Sequence, residues 1–313
     1  MNEQHRPYEI IPVTEGLNPR TAHIDRANTL DIVRMINEED RTVPQAVERE
    51  LPQIAAAVDA IVAAMDAGGR LFYVGAGTSG RLGVLDASEC PPTFGTDPSL
   101  VVGLIAGGDS ALRCAIEGAE DSPTLCEQQL RDYHFNQRDI LCGIAASGRT
   151  PYVLGGMRYA ISLGANVISI TCTPSSQMAS LAHISIAPTV GPEVIAGSTR
   201  MKAGTAQKMV LNMLTTATMI RRGRVFGNRM VDVRPTNEKL IARAERMVAE
   251  ICRCSRSEAK AALCACDYRP KVAILMLLCN IPAADAQARL HACGERLCDA
   301  LPPDILAEEE SRT

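Results

Sequence analysis

Between residues 70 and 83 the chain reads Arg-Leu-Phe-Tyr-Val-Gly-Ala-Gly-Thr-Ser-Gly-Arg-Leu-Gly. A short apolar run stops at glycines and two hydroxyls, and an amphipathic helical pattern follows. This is the pattern of a strand, a tight loop and a helix N-terminus. Glycines allow close backbone approach, and the free first-turn N–H groups with the helix dipole favour an anion there. Thr78 and Ser79 add two hydroxyl donors, so the segment reads as a phosphate seat.

By letter the loop also matches G-x-G-x-x-G through Gly75, Gly77 and Gly80. A dinucleotide site of that kind wants an acidic residue about 20 positions on, at the end of the next strand. The next apolar run, 100–106, is followed by Asp109, which lies too far along. A second loop favours a phosphomonoester instead. Residues 139–146 form another buried-strand pattern, followed by Ser147, Gly148, Arg149, Thr150 and Pro151 and a new helical pattern. Pro151 suits the first helical position, which makes Thr150 the N-cap. Two strand ends of this type can converge on one phosphate at the carboxyl edge of a parallel sheet.

Strand and helix patterns alternate through the middle of the chain. The expected strands are 71–74, 100–106, 140–145, 166–171 and 183–187, with helices starting near Ser79, Ser110, Ser122, Thr150 and Ser176. Helical crossovers between five strands imply an α/β fold with a five-stranded, parallel, doubly wound sheet. Two helices, 27–39 and 43–67, precede it, and a long one, 201–221, follows. Past Arg234-Pro235 only helical patterns remain: 237–252, 257–266, 270–279 and 284–301. Ser255-Arg-Ser-Glu258 is a capping-box sequence. The Pro-rich, acidic end, 301–313, is expected to fray.

Composition narrows the function classes. The chain has no Trp, 3% aromatic residues and a net charge of -4, so base-stacking platforms and basic patches for nucleic acid are missing. Residues 1–6 are polar and no apolar run approaches the length of a membrane span, so neither a signal peptide nor a membrane partner is expected. The 12 cysteines do not follow a disulfide or zinc spacing, and the five histidines form no metal pattern. We therefore expect reduced thiols, a cytoplasmic protein and no metal.

Acidic residues supply candidate chemistry. Glu89 precedes Cys90-Pro91-Pro92, where the prolines are expected to end a helix. A carboxyl near a helix C-terminus is disfavoured from ionising, which suits a general acid, although a surface Glu reads the same way. Glu117 and Glu120 would share one face if residues 117–121 were helical, as a base and its orienting group or as a solvated helix end. The stretch from Gly191-Pro-Glu193 through Ser198, Arg200 and Lys202 is rich in hydroxyls and cations. It reads equally as a loop over an anionic substrate or as a basic surface loop.

The long motifs at 75–92, 117–121, 145–152 and 197–208 together resemble the N-acetylmuramic acid 6-phosphate etherases, which have the sugar isomerase (SIS) fold. The resemblance covers most of the chain. It implies a lead-in over 1–58, an SIS domain over 59–224 and a small helical domain over 236–301. It also implies lyase chemistry without a cofactor: cleavage of a D-lactyl ether to N-acetylglucosamine 6-phosphate and D-lactate in peptidoglycan recycling, by a homodimer. Carried over by motif, Glu89 is the acid and Glu120 the second acid/base. Thr78, Ser79, Ser147, Gly148, Arg149 and Thr150 would hold the 6-phosphate of a small-molecule sugar phosphate. Glu193, Ser198, Arg200 and Lys202 would be further substrate contacts, with Arg200 or Lys202 meeting the lactate carboxylate.

Two alternatives share the fold: an amino-sugar phosphate isomerase and a non-catalytic sugar-phosphate sensor. Many SIS isomerases carry Ser where this chain has Ala145, which counts against the first. A sensor has no need of both glutamates. A helix from Ser79 to Glu89 would be roughly 15 Å long. Either that helix breaks early or Glu89 serves the site of a neighbouring subunit.

Overall fold

A computed structural model describes residues 13–233 and 238–310 of the chain. The polar lead-in 1–6, His5 and the Arg234-Pro235 boundary lie outside those residues. The chain packs as two units, one of residues 13–88 and 99–215 and one of 89–98 and 216–310.

The first unit opens with α1 (Thr29–Asp40), α2 (Val43–Glu48) and α3 (Leu51–Asp66). The single helix expected over 43–67 is thus two. Pro52 lacks the N–H that would continue the ladder to Glu48, and it sits instead in the first turn of α3. Then come β1 (Leu71–Gly75), α4 (Gly77–Phe94), β2 (Val101–Ile105), α5 (Leu125–Asp132) and β3 (Ile140–Ile144). α6 (Pro151–Ser162), β4 (Asn166–Ile170), α7 (Gln177–Leu181), β5 (Ile184–Ile186) and α8 (Lys202–Arg221) complete the alternation.

All five strands pair in parallel in the order β2-β1-β3-β4-β5, with Leu71 opposite both Val101 and Ile140. The five-stranded parallel sheet is the expected fold. β1 and β3 are buried along their whole length because helices cover both faces of such a sheet, which explains their uninterrupted apolar runs. Their starts are pinned together by Asp139. Its buried carboxylate accepts from the Arg70 backbone N–H at 2.9 Å and from the Arg70 guanidinium at 2.8 and 3.1 Å.

Two further local expectations fail. No α-helix forms near Ser110. The chain after β2 makes 3₁₀ turns at Asp109–Leu112 and Ala119–Asp121, separated by Gly118 at φ +73°. A left-handed residue interrupts any helical run, so Glu117 and Glu120 do not share a helix face. α4 also continues through Pro91 and Pro92 to Phe94, so Glu89 lies more than a turn inside the helix rather than at its end. The helix does not break between Ser79 and Glu89.

The second unit contains a two-strand hairpin, β6 (Val225–Phe226) with β7 (Arg229–Met230), closed by Gly227-Asn228. It then has α9 (Glu238–Cys252), α10 (Arg256–Ala265), α11 (Pro270–Cys279), α12 (Ala283–Ala292), α13 (Leu297–Ala300) and α14 (Pro303–Glu310). The capping box is formed. Ser255 Oγ accepts from the Glu258 N–H at 3.2 Å, and Glu258 Oε2 accepts from the Ser255 N–H at 2.8 Å. α11 is the centre of this unit's core, with Val272, Ala273, Ile274 and Leu275 buried. The tail expected to fray is helical to Glu310. Among the described residues, no single helix is long and apolar enough to cross a membrane.

Candidate active site

The chain leaves β1 for β2 on one side and then returns past β1 to place β3 on the other. Connections after β1 and β3 therefore diverge, which opens a crevice at their carboxyl ends. A cavity of about 470 Å³ lies there. Ala76, Gly77, Thr78 and Ser79 line it from the end of β1 and the first turn of α4. Ala145, Ala146, Ser147, Arg149, Thr150 and Pro151 line it from the end of β3 and the start of α6. The two loops singled out in the sequence thus form one site.

Glycine spacing in the first loop serves packing as well as ligand approach. A Cβ on Gly75 would lie 2.7 Å from the Gly80 nitrogen, and one on Gly80 would lie 2.6 Å from the Gly75 carbonyl oxygen. The strand end and the helix start touch backbone to backbone, and this aims the α4 N-terminus at the cavity. In the second loop Gly148 has φ +65° and lies under Ser176. Its N–H donates to the Ala145 carbonyl at 3.1 Å, so Gly148 shapes the turn and does not line the cavity. Thr150 is the N-cap of α6, yet its side chain makes no capping hydrogen bond, which leaves that hydroxyl for a ligand.

The lining also carries carboxylates. Glu120 and Asp121 contribute from the 3₁₀ turn after β2, and Glu15 from a turn at Val13–Glu15. Arg81 on α4 secures the segment after β2. Its guanidinium donates to the carbonyls of Leu112 at 3.0 Å and Ala111 at 2.8 Å. Glu117 faces a smaller cavity of about 220 Å³ that shares Ala76, Gly77 and Glu120 with the larger one. The site therefore combines two helix N-termini, hydroxyls and Arg149 with the carboxylates of Glu15, Glu120 and Asp121.

The weaker group of sequence candidates is placed elsewhere. Glu193 is buried and accepts from the backbone N–H groups of Lys202 and Ala203, each at 2.9 Å, capping α8; burial raises its pKa. Lys202 corrects the sequence reading. Its side chain is fully buried and its Nζ lies 2.7 Å from Glu39 Oε2, so it does not meet a ligand. Ser198 and Arg200 do not line the cavity, whereas Thr199 between them does. Glu89 is exposed on α4 and is not among the lining residues. Glu15, Asp121 and Thr199 are lining residues beyond the sequence candidates. Asp121 and Thr199 lie inside two of the motifs and Glu15 far from all of them, so only folding brings the three to this cavity.

Family comparisons agree with this architecture. Residues 53–161 match the glucokinase regulatory protein N-terminal SIS domain, 131–217 the SIS domain, and 227–273 the C-terminal lid domain of glucokinase regulatory protein. An N-acetylmuramic acid 6-phosphate etherase of Vibrio campbellii is 57% identical over 89% of this chain and 91% of its own length. One from Escherichia coli O9:H4 is 56% identical over 90% of this chain and 95% of its own. The chain belongs to the N-acetylmuramic acid 6-phosphate etherase family. Among solved structures, a phosphoheptose isomerase from Francisella tularensis superposes with a TM-score of 0.50 at 20% identity. It covers 62% of this chain and all of that one, so the etherase family shares its fold with that isomerase.

Proposed function

We propose that this chain cleaves the D-lactyl ether of N-acetylmuramic acid 6-phosphate, giving N-acetylglucosamine 6-phosphate and D-lactate. The carrying observation is the cavity itself, which gathers donors suited to a phosphate and the Glu120 carboxylate in one lining. Homologues of that name across most of the chain support the same reading.

The substrate dictates the steps. In the ring-opened sugar the C2 proton is α to the C1 aldehyde and the lactyl oxygen is β, on C3. Glu120 takes the C2 proton, a C2–C3 double bond forms, and the C3–O bond breaks. Glu89 supplies the proton that the departing lactate oxygen needs. Water then adds to C3 of the unsaturated aldehyde and C2 regains a proton, so the net change is addition of one water. Ser79, Thr78, Ser147, Arg149 and Thr150 hold the 6-phosphate, because charge-assisted hydrogen bonds and two helix N-termini best satisfy a dianion. With Lys202 committed to Glu39 and Arg200 outside the cavity lining, neither cation is assigned to the lactate carboxylate.

Glu89 must reach a sugar held in the cavity, and α4 does not fold back to bring it there. In this reading the protein works as a homodimer and each Glu89 serves the neighbouring copy's site. We place the reaction in the cytoplasm, in peptidoglycan recycling, in keeping with cysteines that form no disulfide among the described residues.

The test is incubation with N-acetylmuramic acid 6-phosphate in H₂¹⁸O. Release of D-lactate with one ¹⁸O retained at C3 of the sugar is the expected result. Lactate without label at C3 would mean that a different bond breaks. Aldose–ketose interconversion without lactate would make the protein an isomerase.

A further inference from the structure

Ser79 lines the cavity, and its hydroxyl donates to Gln207 Oε1 at 2.9 Å. Gln207 lies on α8 and is 1% exposed. Its Nε2 is buried without a hydrogen-bond partner among the described residues. A buried amide donor left unpaired is costly, so its presence beside a ligand-binding hydroxyl needs a reason.

A serine hydroxyl has a single proton. While it points at Gln207 Oε1, Ser79 has none to offer the cavity. A phosphate dianion presents only acceptors, so Ser79 can serve it only by donating. Turning the Gln207 amide by 180° exchanges Oε1 and Nε2. Nε2 then donates to Ser79 Oγ, and the Ser79 proton is free to point into the cavity. The turn creates no additional unpaired group, because one amide atom is left over in either orientation.

We propose that Gln207 is a positioning residue of the phosphate seat: as a donor to Ser79 Oγ, it aims the Ser79 proton at the bound phosphate. Its role rests on the phosphate reading given above. Gln207 touches no substrate and acts through Ser79 alone.

The test is a double-mutant cycle on the Kd for N-acetylglucosamine 6-phosphate, using the full chain and calorimetry. Gln207→Glu keeps the shape but offers only acceptors to Ser79 when ionised. In the presence of the Ser79 hydroxyl it should weaken binding by about tenfold, the worth of one hydrogen bond to a charged group. In the Ser79→Ala background the same change should cost less than about twofold. Gln207→Met, which offers Ser79 neither donor nor carboxylate, should show a smaller loss that likewise disappears without the Ser79 hydroxyl. Either Gln207 variant costing as much in the Ser79→Ala background overturns the role of Gln207 while the phosphate seat stands. Ser79→Ala binding as tightly as the unaltered protein removes the seat at Ser79, and this role with it.

Discussion

Lys202 Nζ lies 2.7 Å from Glu39 Oε2, with both side chains buried and 163 positions between them in sequence. Arg20 completes the cluster, with Nη2 donating to the same oxygen at 2.8 Å and Nε donating to Glu39 Oε1. The pair fixes α1 to the start of α8, beside the Thr199 that lines the cavity. A motif lysine that looks ready for an anionic substrate is a structural counter-ion.

Removing one partner should therefore be severe. Glu39→Gln leaves a buried ammonium without its carboxylate and should cost about 3–5 kcal/mol of stability, read from urea unfolding. A loss of under about 1 kcal/mol would mean that Lys202 finds water in the folded state.

The same carboxylate makes stability depend on pH. The Arg20 hydrogen bonds first, and Lys202 after them, hold the Glu39 carboxyl down from 4.5 to about 2. A depressed folded-state pKa contributes stability that is whole above the unfolded value and disappears as the folded value is crossed. The urea midpoint should therefore fall between pH 4.5 and 2, and Glu39→Gln should lack that part of the decline.

Hydroxyls of the phosphate seat should act on binding rather than chemistry. Ser147→Ala is expected to raise KM about tenfold while kcat stays within about twofold, since the contact is equal in ground and transition states. Steady-state kinetics decide it. An equal fall in kcat and kcat/KM would place Ser147 at the reacting atoms instead.

The two glutamates are separable by isotope exchange. With the proposed roles, Glu120→Gln should lose C2 deuteration in D₂O together with lactate release, which should fall by about 10²–10⁴. Glu89→Gln should keep the exchange at C2 while releasing little lactate. Mass spectrometry of recovered sugar makes the distinction, and exchange surviving in Glu120→Gln would sink the assignment.

Sharing of the site between copies has its own test. Mixing Glu89→Gln chains with Glu120→Gln chains, each expected to be nearly inactive alone, should restore part of the activity, because some mixed dimers carry one intact site. No recovery after verified subunit exchange excludes the shared arrangement.

Much of this protein was readable from residue order alone. The five strands, their parallel pairing and both phosphate-type loops follow from local signals: apolar runs of strand length, Gly-Thr-Ser and Ser-Gly turns, and helix-start chemistry after each. Ser255 and Glu258 announced their capping box for the same reason, since each contact spans only a few residues. Pairing of the two loops into one site was also foreseeable, because parallel topology places alternate strand ends side by side.

What the sequence could not decide depends on contacts between distant segments. Whether Lys202 is a ligand or a counter-ion turns on Glu39, and whether Glu193 is free or a helix cap turns on where α8 begins. Glu120 reaches the cavity on a 3₁₀ turn after a left-handed Gly118, where a helical reading would have paired it with Glu117. Gln207 acquires meaning only when α8 lies against α4. Short-range chemistry sets the elements, but the state of each charged or polar group depends on what tertiary packing brings within 3 Å of it.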